Sequence, residues 1–435
     1  MRLGCSCAAP SAVVAPEEQG AFDSDDEALQ EDDRRRAARE REHEDMTRGR
    51  QARSSRGSGS TSLDGDGGSK VDAYGFTLDL DAEGVAARER CAGTSARRSV
   101  RWDRYRSAGA FSNVTHRPTG VLKTLIRKGV PNDLRPAVWM AVSGAAAKKR
   151  VAPRAYYKRL QALPVDQTVR DQVDIDLGRT FPENSRYNDN VEAQETLRRV
   201  LLAYARHNPG TGYCQGMNYI GAFLWLVMGD EESVFWVFVC LLDDICQPAV
   251  HASDIRGTMS EYKVLHRLLR AREPKLQAHF AATEVDLVMI ASKWLLCFFT
   301  ESFPSETAAR VLDAVFSEGF KVWFRVVIAM LKIHEGELLR SDALPDTMRV
   351  LQHAFRNTHD RDALMRFAFK RLKAFPRTLI EKHREEVAKE TRREQKERAD
   401  KEKAAHAKKE RERRGNRGKG KGSRRQTPSP SLSGK

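Results

Sequence analysis

Hydrophobic residues recur at helical spacing through the middle of the chain. One stretch lies between a start signal at Asn190 and a stop signal at Asn208-Pro209-Gly210. Its apolar positions follow i, i+3, i+4, i+7 and i+8, which is the spacing of one buried helix face. The residues at these positions are Leu197, Val200, Leu201, Tyr204 and Ala205. The pattern predicts an amphipathic α-helix here.

Two further stripes have similar spacing, one from Leu287 to Phe298 and one from Ala308 to Phe316. No segment between about residues 121 and 380 shows the two-residue alternation, bounded by hairpin turns, that is typical of β-strands. The longest apolar runs are shorter than the roughly 20 residues that span a bilayer. We therefore predict an all-α fold of many short helices, without a transmembrane helix.

The N-terminal flank has a different composition. Residues 1–70 pass from an acidic patch through an arginine run into a Gly/Ser-rich stretch, and such low hydrophobicity predicts disorder. Residues 71–120 contain the first aromatic cluster, including Tyr74, Phe76 and Trp102. We expect this second segment to pack on the helical domain.

The C-terminal flank is highly charged. Residues 383–435 are predicted to form a solvated helix to about Arg414 and then a disordered tail, because Glu and Lys or Arg recur four apart and apolar residues are nearly absent. Residues 381–435 hold 20 basic and 10 acidic residues, a net charge of +10 out of +15 for the whole chain. The basic tail suggests contact with an anionic membrane surface, or a nuclear fraction. No specific nucleic acid is expected, because no aromatic residue follows Phe375 to stack on bases.

The seven cysteines are scattered, and four of them lie in apolar segments, which is typical of a reducing compartment. The first residues lack the apolar stretch of a secretory signal, so we expect a cytoplasmic protein. Acylation of Cys5 and Cys7 stays an open alternative. No His or Cys spacing typical of a metal site is present.

Two short strings hold the candidate chemistry. In Val173 to Pro182, Asp176 and Arg179 are three apart, so the carboxylate can hold the guanidinium on one helical face before Thr180 ends the turn. In Tyr213 to Asn218, Gln215 lies where a loop enters an apolar helix. Taken alone, these features indicate only a surface salt bridge, a helix-capping glutamine and a core tyrosine.

Together the two strings resemble the paired signature motifs of the TBC-domain family. Arg127-Lys128-Gly129-Val130-Pro131, followed by Arg135 and Trp139, resembles the opening motif of that family. Later landmarks follow in the same order, including Trp294-Leu295-Leu296 and Val311-Leu312-Asp313. Arg127 and Trp139 are expected to be structural.

The resemblance implies a two-lobed helical domain over residues 121–345, completed by C-terminal helices over 346–382. It implies a GTPase-activating protein for Rab-type small GTPases in the GTP state, recruited peripherally to endomembranes. Arg179 would be the arginine finger and Gln215 the glutamine finger, supported by Asp176, Thr180, Tyr213 and Gly216. GTP and Mg²⁺ would be carried by the partner, and the protein would need no cofactor of its own.

Two rival interpretations remain. The domain could bind a Rab without catalysis, as an effector or scaffold, and only the intact Arg179 and Gln215 argue against this. Cys214 with His207 and His251 could form a thiol hydrolase, but no cysteine-protease signature surrounds Cys214. A nucleotide-binding loop of the chain's own is not found, because the nearest glycine-lysine string, Gly415 to Gly422, lacks the required hydroxyl.

Overall fold

Helices follow one another along the part of the chain that the computed structural model describes, which is residues 71–107, 118, 120–246, 250–252, 256–372 and 374–420. That part contains two isolated β-bridges and no strand, which confirms the all-α prediction. The disorder predicted for residues 1–70 and 421–435, and the two N-terminal cysteines, lie outside these residues. None of the helices in these ranges is long and apolar enough to cross a membrane.

The first group of helices surrounds the two strings. A 3₁₀ turn, Asn132–Leu134, joins its second and third helices, and a π-helical turn, Cys240–Ile245, follows its last. These helices are α1 Ala82–Ser107, α2 Gly120–Lys128, α3 Arg135–Val142, α4 Ala145–Val151, α5 Tyr156–Ala162, α6 Gln167–Leu177, α7 Val191–His207, α8 Met217–Met228 and α9 Glu231–Val239.

The second group contains the C-terminal helices. Its eighth helix continues into a π-helical turn, Phe367–Arg371. These helices are α10 Arg256–Arg272, α11 Pro274–Ala282, α12 Val288–Leu296, α13 Ser305–Glu318, α14 Lys321–Ile333, α15 Glu335–Leu338, α16 Leu344–Arg356, α17 Arg361–Arg366 and α18 Arg377–Gly420.

Helix α7 is the centre of the first group, where it packs against α5, α6, α8 and α9. The Asn190 side chain caps it, since its Oδ1 accepts a hydrogen bond of 3.0 Å from Ala193 N. The five residues of the predicted stripe are all buried. Both ends and the buried face of this helix are as predicted.

Helix α13 joins the two groups, because it packs against α2 and α3 as well as α14. It contains the predicted stripe from Ala308 to Phe316 and is buried on nearly all sides. Charged residues of this helix therefore point into the protein. Asp313 is completely buried and Glu318 nearly so.

The residues of the opening motif hold α2 and α3 against α13. Asp313 Oδ1 accepts hydrogen bonds from Arg135 Nε at 3.0 Å and from Trp139 Nε1 at 2.8 Å. Burial alone would lower the pKa of Arg135, but the Asp313 carboxylate and the Tyr74 hydroxyl raise it. The Arg135 guanidinium is thus charged in the interior, where it contacts Asp313.

Arg127 makes a second link to α13. Its Nε and Nη2 donate to the Glu318 carboxylate at 2.5 and 2.9 Å. Burial alone would raise the pKa of Glu318, but the hydrogen bonds from Arg127 and Lys321 lower it to about 2.

Between these two links to α13, Gly129 has a φ of +118°, and a Cβ there would lie 2.5 Å from Arg98 Nε. Pro131 then begins the 3₁₀ turn, where its carbonyl accepts from Leu134 N at 3.1 Å.

Residues 71–107 pack on the helical body. The buried Tyr74 hydroxyl accepts a hydrogen bond of 2.6 Å from Arg135 Nη1, and Trp102 Nε1 donates to the Gly129 carbonyl at 2.7 Å. Asn184 Nδ2, which follows the first candidate string, donates to the Tyr74 carbonyl at 3.1 Å. This segment therefore contacts both the opening motif and the candidate site.

The stripe from Leu287 to Phe298 was predicted to be helical throughout, but α12 ends at Leu296. Phe298 and Phe299 have φ values of +47° and +65°, so the chain turns sharply there. The turn places both rings in the core, where Phe299 stacks on Trp323 at a centroid distance of 6.3 Å. The helical spacing of apolar residues extends to Phe298 because that residue is buried, but its backbone is no longer helical.

The prediction of a fully solvated C-terminal helix was wrong for its first turns. Helix α18 begins before residue 383, ends beyond Arg414 and packs against α10. Arg384 donates to the nearly buried Glu261 at 2.9 and 2.8 Å, and Ile380 and Val387 are buried on the same face. Residues 397–410 are exposed, so only the distal part is solvated.

Candidate functional site

The C-terminal end of α6 holds the first pair of candidate residues. Asp176, in the last turn, is 2% exposed, whereas the Arg179 side chain, just beyond the helix, is 51% exposed. Arg179 Nη2 forms an ion pair with Asp176 Oδ1. The buried carboxylate thus orients a guanidinium that remains open to solvent.

The chain reverses direction immediately after Arg179. Thr180 Oγ1 donates to the Asp176 carbonyl at 2.6 Å, and Phe181 has a φ of +43°. The Phe181 ring packs edge-on against Phe76 and Tyr219, with centroid distances of 4.9 and 5.2 Å. Tyr219 Oη also donates to the Arg179 carbonyl at 3.2 Å. These contacts fix the backbone from which Arg179 projects.

The second string lies at the start of α8. Gly216 is the N-cap, with a φ of +106°, and its N–H donates to Asn218 Oδ1 at 3.0 Å. Asn218 Nδ2 donates to Thr180 Oγ1 at 2.8 Å. The fully buried Asn218 therefore joins the second string to the first. The sequence did not predict this role. The signal that could have indicated it is the polar Asn218 in the first turn of an otherwise apolar helix.

Tyr213 makes a second connection between the strings. Its Oη donates to Asp176 Oδ2 at 2.5 Å, so Asp176 contacts both Tyr213 and Arg179. Burial raises the pKa of Tyr213, and the hydrogen bond to Asp176 raises it further. The phenol is therefore a neutral donor at ordinary pH. Tyr213 was predicted to support the Gln215 loop, and the alternative in which it only packs in the core did not include this bond.

Gln215 is exposed, two residues before the first residue of α8. Its side-chain carboxamide makes no hydrogen bond within the described ranges, so it does not cap its own helix. Cys214 N donates to Met217 Sδ at 3.4 Å, and the Gly216 N–H is bonded to Asn218. The N–H groups on either side of Gln215 are therefore satisfied by other residues, and the Gln215 carboxamide is free to bind a partner.

The structure brings all six predicted finger and supporting residues into one place. They are Asp176, Arg179, Thr180, Tyr213, Gln215 and Gly216. The opening-motif residues Arg127, Gly129, Pro131, Arg135 and Trp139 are not part of this cluster, since they contact α1, α13 and the 3₁₀ turn.

Comparison with known proteins agrees with the motifs. The sequence model described as the Rab-GTPase-TBC domain matches residues 132–339. Human growth hormone-regulated TBC protein 1 is 34% identical over 282 residues, which is 64% of this chain and 82% of that protein. The chain belongs to the TBC-domain family. A zebrafish relative, growth hormone-regulated TBC protein 1-A, is also 34% identical and is covered over 77% of its length.

Solved TBC domains have the same fold. The crystal structure of the Chlamydomonas flagellar RabGAP TBC domain is 34% identical, with a TM-score of 0.61, and the match covers 69% of this chain and 99% of that one. The Ypt/Rab-GAP domain of Gyp1p is 23% identical, with a TM-score of 0.50 over 60% of this chain and 96% of that one, and shows a shared fold. The resemblance inferred from the motifs is therefore confirmed.

The thiol-hydrolase interpretation does not fit the geometry of this TBC domain. Burial and the Asp176 carboxylate raise the pKa of Cys214, which keeps the thiol protonated. His207 contacts Tyr156 Oη at 3.0 Å and Asp243 Oδ2 at 3.3 Å, and His251 contacts the Leu296 carbonyl at 3.1 Å. Neither ring is paired with Cys214. Among the residues placed by the structure, no cluster of three or more His, Cys, Asp or Glu could hold a metal ion.

Gly216→Ala is expected to lower the free energy of unfolding by about 1–2 kcal/mol. The backbone there is left-handed, and a Cβ would lie 3.2 Å from Leu296 O, so the loop of the TBC domain would have to shift. Urea unfolding of the full chain measures this. Gly178→Ala is the matched control, because Gly178 has a φ of −66° and no atom within 4 Å of an added Cβ. Equal losses in both variants would contradict the explanation.

Proposed function

We propose that the protein accelerates GTP hydrolysis by a Rab-family GTPase, to which it supplies Arg179 and Gln215 in trans. One observation supports this most strongly: an exposed guanidinium, and a carboxamide that makes no hydrogen bond to the described residues, project from a single hydrogen-bonded network around the buried Asp176. The membership in the TBC-domain family supports a Rab as the partner. The test is single-turnover GTP hydrolysis by a GTP-loaded Rab with and without the protein.

Arg179 would stabilise the charge that develops on the phosphates in the transition state. A guanidinium suits this task because it is permanently charged and presents a planar fork of donors. Asp176 restricts its direction before the partner binds, which lowers the entropy lost on binding. In other GTPases an arginine supplied in trans contributes about 10³ to 10⁵ in rate, equivalent to roughly 4 to 7 kcal/mol of barrier.

Gln215 would orient the attacking water in place of the glutamine of the GTPase. A carboxamide can accept a hydrogen bond from one water and donate to another oxygen at the same time. Gln215 also precedes α8, and the positive end of that helix dipole favours an anionic nucleotide nearby. Gly216 and Asn218 set the position of this loop through their mutual hydrogen bond.

The partner would carry GTP and Mg²⁺, and the protein itself would need no cofactor. A cytoplasmic protein recruited to endomembranes fits this role, because the basic residues of the C-terminal tail could contact anionic lipids. A nuclear fraction stays an alternative for the tail. A Rab-binding effector or scaffold would use the same surface but leave the bound GTP intact.

Gln215→Ala is expected to lower the stimulated rate less than loss of Arg179, by about 10- to 100-fold, since the partner's own glutamine can partly replace it. The effect should grow when the assay is repeated with a Rab whose glutamine has been removed. Gln194→Ala is the matched control, because Gln194 lies on α7 and its side chain donates to the Asn188 carbonyl at 2.6 Å. If the Gln215→Ala effect is unchanged with the altered Rab, compensation by the partner is the wrong explanation.

A further inference from the structure

Four arginines line one cavity on the outer side of α6 and α7, away from the residues of the finger network. Its volume is about 480 Å³. On α7, Arg198, Arg199, Leu202 and Arg206 follow helical spacing, so they share one face. Arg170 of α6 lies opposite them, and residues 161–164 at the end of α5 complete the wall. The packing of α6 against α7 therefore concentrates positively charged side chains around one cavity.

The four arginines differ in how well their charges are compensated. Arg199 Nη2 forms ion pairs of 2.8 Å with Glu231 and 2.9 Å with Glu192. Arg198 forms a two-bond pair with Asp174, at 2.6 and 3.1 Å. These two side chains already have the acidic partners that a surface arginine usually finds.

Arg170 and Arg206 have no acidic partner within the described residues. Arg170 Nε is buried without a hydrogen bond, and Arg206 Nε reaches only the Pro164 carbonyl, at 3.4 Å. Burial lowers the pKa of Arg206, and the charges of Arg170 and Arg198 lower it further. The cavity therefore holds two guanidinium groups, those of Arg170 and Arg206, whose charges have no acidic partner among the described residues, and an anion would offset them.

Nearby carboxylates on α6 do not fill this role. Asp166 Oδ1 accepts from Thr168 N at 2.8 Å and so caps α6, and Asp171 Oδ1 accepts from Gln167 at 2.7 Å. Neither forms an ion pair with Arg170 or Arg206. The compensating charge is thus not provided by the neighbouring turns.

We infer that this cavity binds a small polyanion with clustered phosphate groups. Arginine forks match phosphate oxygens in geometry and charge, and sites for small ligands have volumes of about 300–1,000 Å³. The ligand could be a free oligophosphate or the phosphorylated headgroup of a lipid.

Arg170 and Arg179 are nine residues apart on α6 and its C-terminal turn, so the ligand would lie about 13 Å along the helix axis from the proposed finger. The inference does not depend on that finger's role.

The test is calorimetric titration of the full chain with inorganic tripolyphosphate at physiological salt. We expect saturable binding to one site, weakened about 10- to 100-fold in Arg170→Gln/Arg206→Gln. The matched control is Arg393→Gln/Arg398→Gln, which removes the same charge from exposed positions of α18. That variant should bind as the wild type does. Equal weakening in both variants, or no binding, would overturn the inference.

A second arm identifies the source of the phosphate. Vesicles of phosphatidylcholine with phosphatidylinositol bisphosphate are compared with vesicles of equal charge made with phosphatidylserine. Selective retention on the first, lost in the cavity variant, supports a lipid headgroup; tripolyphosphate binding without this selectivity supports a free ligand. Thermal unfolding checks that the cavity variant is folded. Arg206→Lys keeps the charge but not the fork and should bind with intermediate affinity.

Discussion

Arg179→Ala is expected to lower the stimulated rate of GTP hydrolysis by about 10³-fold or more. The side chain is half exposed and its proposed role is to act on the bound partner, so the protein should remain folded. Tyr213 still donates to Asp176 in the variant, and removal of Arg179 opens that carboxylate to water. Single-turnover hydrolysis measures the rate, and thermal unfolding measures the fold.

Arg349→Ala is the control for this variant. Arg349 forms the same i,i+3 pair, with Asp346 at 3.1 Å, and its side chain is 76% exposed on α16. It should therefore leave the stimulated rate unchanged. Arg179→Lys adds a second comparison, because it keeps the charge but loses the planar fork, and we expect it to stimulate far less than the wild type. Near wild-type stimulation by Arg179→Ala would contradict the assignment of the finger.

Arg135→Ala is expected to lower the free energy of unfolding by about 3–5 kcal/mol. Arg135 and Asp313 are 3% and 0% exposed, so the variant leaves an uncompensated carboxylate in the interior. The Tyr74 hydroxyl also loses its donor from Arg135. Urea or thermal unfolding of the full chain measures the loss.

An exposed arginine is the control for this second variant. Arg106→Ala removes an ion pair with Asp103 at 2.9 Å whose side chains are more than half exposed, and such pairs contribute about 0–1 kcal/mol. Arg135→Met tests the cause, because it fills the volume but still leaves Asp313 unpaired, and it should be almost as destabilising as alanine. If Arg135→Ala lowers the free energy of unfolding no more than Arg106→Ala does, burial of the Arg135–Asp313 pair is the wrong explanation.

Local signals predicted the helices whose ends and faces are determined nearby in sequence. Helix α7 is the clearest example, because Asn190, the apolar stripe and Asn208-Pro209-Gly210 all act within that segment. The end of α12 was mispredicted because Phe298 keeps the helical spacing although the backbone there is left-handed. The Phe298 ring packs against Phe320, and the Phe299 ring packs against Trp323 and Phe355, all from distant segments. Contacts with distant segments, rather than local helical propensity, determine the backbone conformation of Phe298 and Phe299.

The candidate site was predicted from the order of two motifs, and of its internal contacts only the Asp176–Arg179 pair was predicted. Nothing in the spacing indicates that Asn218 bonds Thr180, or that Tyr213 and Arg179 share Asp176. The docking of α18 was missed for a similar reason, since Glu261 lies more than a hundred residues before Arg384. Side-chain pairs between remote segments have no local signature in a single sequence.

The most direct test of the account is single-turnover GTP hydrolysis by a panel of GTP-loaded Rabs, with the full chain and with Arg179→Ala. We predict that the wild type accelerates one or a few Rabs and that the variant loses nearly all of this acceleration. Binding of a GTP-loaded Rab without acceleration across a broad panel would contradict the proposed activity and favour an effector or scaffold.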